Sequence, residues 1–165
     1  MKHTFKSISV YFDKDSNLIG VPSTEIKKWN ALVDIDAIVN LTFPYSDDEL
    51  EQFLENVFDL CYSLTPKELP KQSALQNYLE VKSYSASVKG LGLVSIKWID
   101  KQGYTITPTW QNAKMKNAFG HLEDRAIGIS DRYVKGELAR SFRSVMNLSP
   151  IGSMNQKPEQ KLYYD

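Results

Sequence analysis

Between Ser46 and Tyr62 the chain spells out a capped amphipathic helix, and that helix limits what the rest can fold into. Ser46 is a fitting N-cap with Glu49 three residues on, and Asp47, Asp48 and Glu49 set negative charge against the positive end of the helix dipole. Leu50, Phe53, Leu54, Val57, Phe58 and Cys61 then recur at helical spacing. One apolar stripe of this length has to be covered, and a sheet is the natural cover.

The flanking segments supply one, because their period changes to two. Residues 5–12 alternate polar with apolar side chains and predict a strand. Residues 13–17 read as a turn, and residues 18–21 as the return arm of a hairpin, ended by Pro22. A short helix is expected over 25–33 and a strand over 35–43, closed by Pro44. Thr65-Pro66 predicts a short helix near 67–71, with another turn or two over 73–79. Residues 80–88 alternate with Ser83, Ser85 and Ser87 on one side and are read as a strand. With 93–100 and 104–110 they predict a three-stranded antiparallel meander whose third strand ends, or becomes an edge, at Pro108. Residues 111–121 are read as a loop and 122–129 as one more short strand. The last helix is expected to start near Ser130 or Asp131, carrying Val134, Leu138, Phe142, Val145 and Met146 on one stripe. The fold class is α+β: a twisted antiparallel sheet of hairpins packed by two main amphipathic helices. Residues 1–149 form one globular domain, and 150–165 read as a flexible tail from which Leu162-Tyr163-Tyr164 can dock.

Composition excludes more chemistry than it suggests. No run approaches the roughly 18 apolar residues of a membrane helix, and residues 1–12 do not build a signal-peptide core, so a cytoplasmic protein is expected. Cys61 is the only cysteine, which rules out an intrachain disulfide. His3, His121 and Cys61 are spread over different elements without ligand spacing, so no metal, cofactor or nucleophile–base pair is expected. Gly90-Leu-Gly92 leads into a strand and lacks a third glycine, so it is no dinucleotide cradle. The chain is therefore not read as an enzyme.

Charge is the remaining signal. The chain is neutral overall, with 20 basic and 20 acidic residues, yet residues 1–60 balance at −6 and residues 61–165 at +6. An acidic portion can meet a basic partner, and a basic portion can meet phosphates. Trp98, Tyr104 and Trp110, with Lys97, Lys101, Lys114 and Lys116 nearby, offer an alternative reading as a single-stranded nucleic-acid-binding module on a basic aromatic sheet face. Alternation points some of these rings to the core, and overall neutrality argues against nucleic acid.

The order of features resembles the immunity proteins of contact-dependent growth inhibition systems. The resemblance is carried by the opening Phe5-Lys-Ser-Ile-Ser-Val-Tyr-Phe with its Leu-Ile-Gly-Val-Pro return, by the Leu-Val-Ser-Ile-Lys-Trp hairpin, and by the closing Leu-Ala-Arg-Ser-Phe helix, across most of residues 5–149. It implies a cytoplasmic bacterial protein that neutralises one cognate toxin, often a nuclease, by binding it. That toxin is the C-terminal domain of a large exported effector. Candidate toxin-binding residues come from charge and strand character instead. They are Asp47, Asp48, Glu51 and Glu55, expected to present charge around the helix start, and Ser83, Ser85 and Ser87, expected to lie on an exposed sheet edge.

Overall fold

The computed structural model describes residues 2–159. β1 (Phe5–Phe12) and β2 (Leu18–Ile26) pair antiparallel across a turn in which Asp13 Oδ1 accepts from the backbone N–H groups of Asp15 and Asn17. A short acid folding back on its own backbone is what makes this segment turn. β2 runs past Pro22, passes through a 3₁₀ turn at Lys27–Trp29, and returns as β3 (Ala31–Asp34). A hairpin thus replaces the helix expected over 25–33. Of residues 35–43 only β4 (Val39–Leu41) is strand, and it also pairs with β2.

Pro22 interrupts nothing because of where its missing N–H falls. It faces Ile8 of β1, but its carbonyl points away from β1 and accepts from the Ile35 N–H at 3.0 Å. A strand residue directs its N and its C=O to the same side, so the absent donor lies between β4, which pairs with residues 18–20, and β3, which pairs with residues 23–26. Pro108 repeats the device. β6 (Gly103–Asn112) pairs on one side with β5 (Gly92–Ile99). Its other side takes β8 (Ile127–Ile129) over residues 104–106 and β7 (Ala118–His121) over 109–112. Pro108 sits in the gap, its carbonyl accepting from the Leu122 N–H at 2.8 Å. The strand expected to end at Pro108 therefore continues to Asn112, and the loop expected over 111–121 contains β7.

The sheet order is β3-β2-β1-β5-β6-β7, with β4 on β2 and β8 on β6. A two-residue β9 (Ser153–Met154) adds to β6 in parallel, and Pro158 O accepts from Arg125 at 2.8 Å, so the described part of the tail is tied at two points. The expected docking of residues 162–164 lies outside the described residues.

α1 (Asp47–Asp59) carries both bonds of its capping box: Ser46 Oγ accepts from the Glu49 N–H at 3.1 Å, and Glu49 Oε1 accepts from the Ser46 N–H at 3.4 Å. Its stripe packs with that of α4 (Glu137–Met146) on one face of the sheet, where Leu54, Phe58, Leu138 and Phe142 meet Ile8, Val94 and Ile106. Burying a side chain of this size contributes about 1.5–3 kcal/mol. Gly20 lets α1 approach, since a Cβ there would collide with Val57. α4 starts later than expected, at Glu137, and Val134 stays outside it, exposed. The other face is covered by α2 (Ala74–Leu79) and α3 (Tyr84–Val88), whose Leu75 and Val88 pack against Tyr11, Val21 and Leu93. The strand expected over 80–88 is thus a short helix preceded by a left-handed Glu80, and the short helix expected near 67–71 does not form.

Candidate interaction surface

The four acidic candidates sit on α1, and α4 with the segment before it comes to meet each of them. Glu51 is only 7% exposed. Its carboxylate accepts from the Gly136 N–H at 2.9 and 3.0 Å and from the Ala139 N–H at 3.2 Å. α4 has no side-chain cap of its own, so Glu51 caps it from another helix, with its charge at the positive end of the dipole. The expectation that Glu51 presents exposed charge is therefore overturned: orphan helix donors hold it inside. Glu55 is half-buried and accepts a short hydrogen bond from the Tyr133 hydroxyl. Burial first, and Glu55 second, push the Tyr133 phenol above its ordinary range. Asp47 pairs with Arg143 at 2.8 Å, while the same guanidinium donates to Tyr45 O and lies 5.1 Å from the Tyr45 ring centroid. Asp48 pairs with Lys135 at 3.4 Å, both well exposed, a pair worth at most about 1 kcal/mol. The opposite charge balances of the two parts of the sequence meet, at these contacts, inside one molecule.

The serines form no sheet edge. Ser83 Oγ caps α3 by accepting from the Ala86 N–H at 3.1 Å, Ser85 Oγ bonds Lys116 O and Asn117, and Ser87 is buried against Tyr84 O. One serine that caps a helix start, one that ties the helix to the 116–117 turn and one that bonds back within the helix make up the period-two pattern. The sheet path ends instead at β3 and at β7. β3 presents Leu32, 47% exposed, and the short apolar run Ala31-Leu-Val is the sequence signal that marked it.

The aromatic platform is divided in the same way. Trp98 and Tyr104 pack against the helix-covered core, and Trp110 continues that side of β6. Lys97 points to the opposite face, in register with Ser7 and Thr105. On the helix side, Phe58, Trp98 and Tyr104 line a groove of about 310 Å³ with Glu55, Asp59 and Asp131. Lys6 lines the same groove, its Nζ 5.7 Å from the Trp98 ring centroid.

The remaining reactive groups lie apart. Cys61 is buried with Sγ 3.4 Å from Ser7 O, and burial pushes its thiol up. His3 stacks on Tyr62 with centroids 3.5 Å apart, and His121 ends β7, opposite Thr109. Among the described residues no group of three or more His, Cys, Asp or Glu converges as a metal site would, and no helix is long and apolar enough to cross a membrane.

No family model and no curated protein matches the sequence. Solved structures do match in fold. A protein of unknown function from Neisseria meningitidis aligns over 91% of this chain and 99% of its own, with a TM-score of 0.67 at 10% identity. The CdiA-CT/CdiI toxin and immunity complex from Yersinia pseudotuberculosis aligns over 90% of this chain and 99% of the matched chain, with a TM-score of 0.63 at 12% identity. The curled α+β architecture of this chain is thus one found in a toxin–immunity complex.

Proposed function

We propose that this chain is a contact-dependent growth inhibition immunity protein, which binds the toxin domain at the C-terminus of a large exported effector and neutralises it by occlusion, without chemistry, in the cytoplasm. The observation that carries this reading is the fold likeness, over nearly the whole chain, to a component of a toxin–immunity complex. A nuclease toxin is the favoured class, because such enzymes grip polyanions through basic surfaces that an acidic inhibitor face can meet. On this chain the acids left to serve are Asp48 and, in part, Asp47 and Glu55, next to solvent-facing Glu49. Of the two path ends, β3 and β7, the one proposed for strand addition is β3, which carries exposed Leu32.

Calorimetric titration of the purified protein with the toxin domain encoded immediately upstream tests this. Saturable binding whose affinity falls as salt rises is the expected result. Absence of binding at low salt contradicts it.

A further inference from the structure

A cavity of about 250 Å³ opens beside the free edge of the sheet, where β3 ends and the 64–72 segment folds across it. Asp34 and Asp36 contribute its charge, and Ile35, Leu64, Pro66 and Pro70 contribute apolar wall. Asp34 receives one hydrogen bond, from the Ser23 hydroxyl at 2.9 Å. Asp36 takes two long contacts from Asn77 Nδ2, at 3.3 and 3.4 Å. Neither aspartate joins an ion pair among the described residues, although Lys67 and Lys71 lie in the same segment. Asp34 is thus held by a single hydroxyl, whereas the buried carboxylate of Glu51 on α1 holds two backbone amides.

We propose that this cavity receives one long cationic side chain, an arginine or lysine of the protein partner, with its aliphatic stem against Leu64, Pro66 and Pro70 and its charged head at Asp34. The volume falls below the roughly 300–1,000 Å³ of drug-sized ligand sites, so a single side chain fits better than a metabolite. The mixture of apolar wall and terminal carboxylate matches an amphipathic stem and head, which a sugar or an anion would not use. Burial already pushes the Asp34 carboxyl up, so an incoming cation gains by relieving an under-solvated charge. A charged anchor seated in a pocket is the kind of contact that concentrates binding energy. Exposed Leu64 and Leu32 supply apolar surface near the mouth and along the adjoining edge. This assignment rests on the reading of the chain as a toxin-binding protein, and it names the partner group that one part of the surface takes.

Two experiments separate the cavity from the wider function. In the first, agmatine, a guanidinium on a four-carbon chain, is titrated into the isolated protein while the Asp34 carboxyl carbon is followed by NMR. Saturable millimolar perturbation of Asp34, with its titration midpoint moving down, is expected; butylurea, the neutral counterpart, should leave it unmoved. An unresponsive Asp34 overturns the cavity assignment whatever the toxin does. In the second, Asp34→Asn, which keeps an acceptor for Ser23, is measured against the upstream-encoded toxin domain. A loss of affinity of about tenfold or more is expected, equivalent to about 1.4 kcal/mol. Leu64→Ser, at an exposed wall position, should weaken binding in the same direction and guards against a folding artefact in the first variant. Toxin binding unchanged by both variants overturns the cavity while leaving the immunity reading intact. Absence of toxin binding by the parent overturns that reading, and the agmatine titration still decides the cavity.

Discussion

Replacing Glu51 with alanine removes a charge from α1 and should unfold α4 first. The carboxylate holds two amides, those of Gly136 and Ala139, through three contacts of 2.9–3.2 Å in a nearly water-free site. Each orphaned buried donor costs about 1–3 kcal/mol, and loss of the favourable charge at the helix start adds up to about 2 kcal/mol in a partly buried geometry. Relief of the carboxylate's own burial offsets part of this sum. A net loss of about 2–4 kcal/mol is therefore expected, a large share of the 5–15 kcal/mol that typically holds a domain together. Glu51→Gln keeps one acceptor oxygen, as Oε2 now serves both amides, and loses the charge and the second acceptor, so about half that loss is expected. Urea unfolding followed by circular dichroism reads both values, and hydrogen exchange at the Gly136 and Ala139 amides locates the effect. A Glu51→Ala midpoint within about 0.5 kcal/mol of the parent, at unchanged slope, would refute the cross-helix cap.

Three further outcomes follow from named contacts. Burial raises the Asp34 carboxyl above its unfolded value, so the folded state binds more protons between those two values and stability falls as pH rises through that window; Asp34→Asn should remove this dependence and raise the thermal midpoint at neutral pH. Gly103→Ala should cost about 1–3 kcal/mol from backbone conformation alone, since φ is +101°, and more because its Cβ would strike the Ile129 carbonyl and sit 2.8 Å from the Asp131 nitrogen; chemical denaturation measures it. Phe142→Ala, at a fully buried position between α4 and the sheet, should cost about 3–5 kcal/mol by the same assay, whereas an unchanged midpoint would place that stripe outside the core.

Residues 46–61 could be read from sequence because local and global demands agree there: the cap, the dipole and the stripe all act within one helix. Residues 5–12 and 18–21 were open to the same reading, with a turn chemistry that works on its own backbone. Residues 80–88 do not follow their pattern because a five-residue helix is too short for a period of 3.6 to separate from a period of two, and of the three serines only Ser83 carries a helix-cap signal. Pro22 and Pro108 misled for a different reason. Whether a proline breaks a strand depends on what lies on its N side, which is set by strands far along the chain. The acidic candidates show the same limit at the surface. Asp47, Asp48 and Glu49 at a helix start explain themselves locally, yet what holds Glu51 and Glu55 is chosen by Gly136, Ala139 and Tyr133, some 80 residues away.

Neutralisation of a toxin is measured most directly by growth. The upstream-encoded toxin domain is induced in cells that carry this protein and in cells that do not. Cells with the protein are expected to keep growing while cells without it stop, and a toxin of unrelated sequence is expected to escape neutralisation. Equal killing with and without the protein, at matched soluble expression, would contradict it.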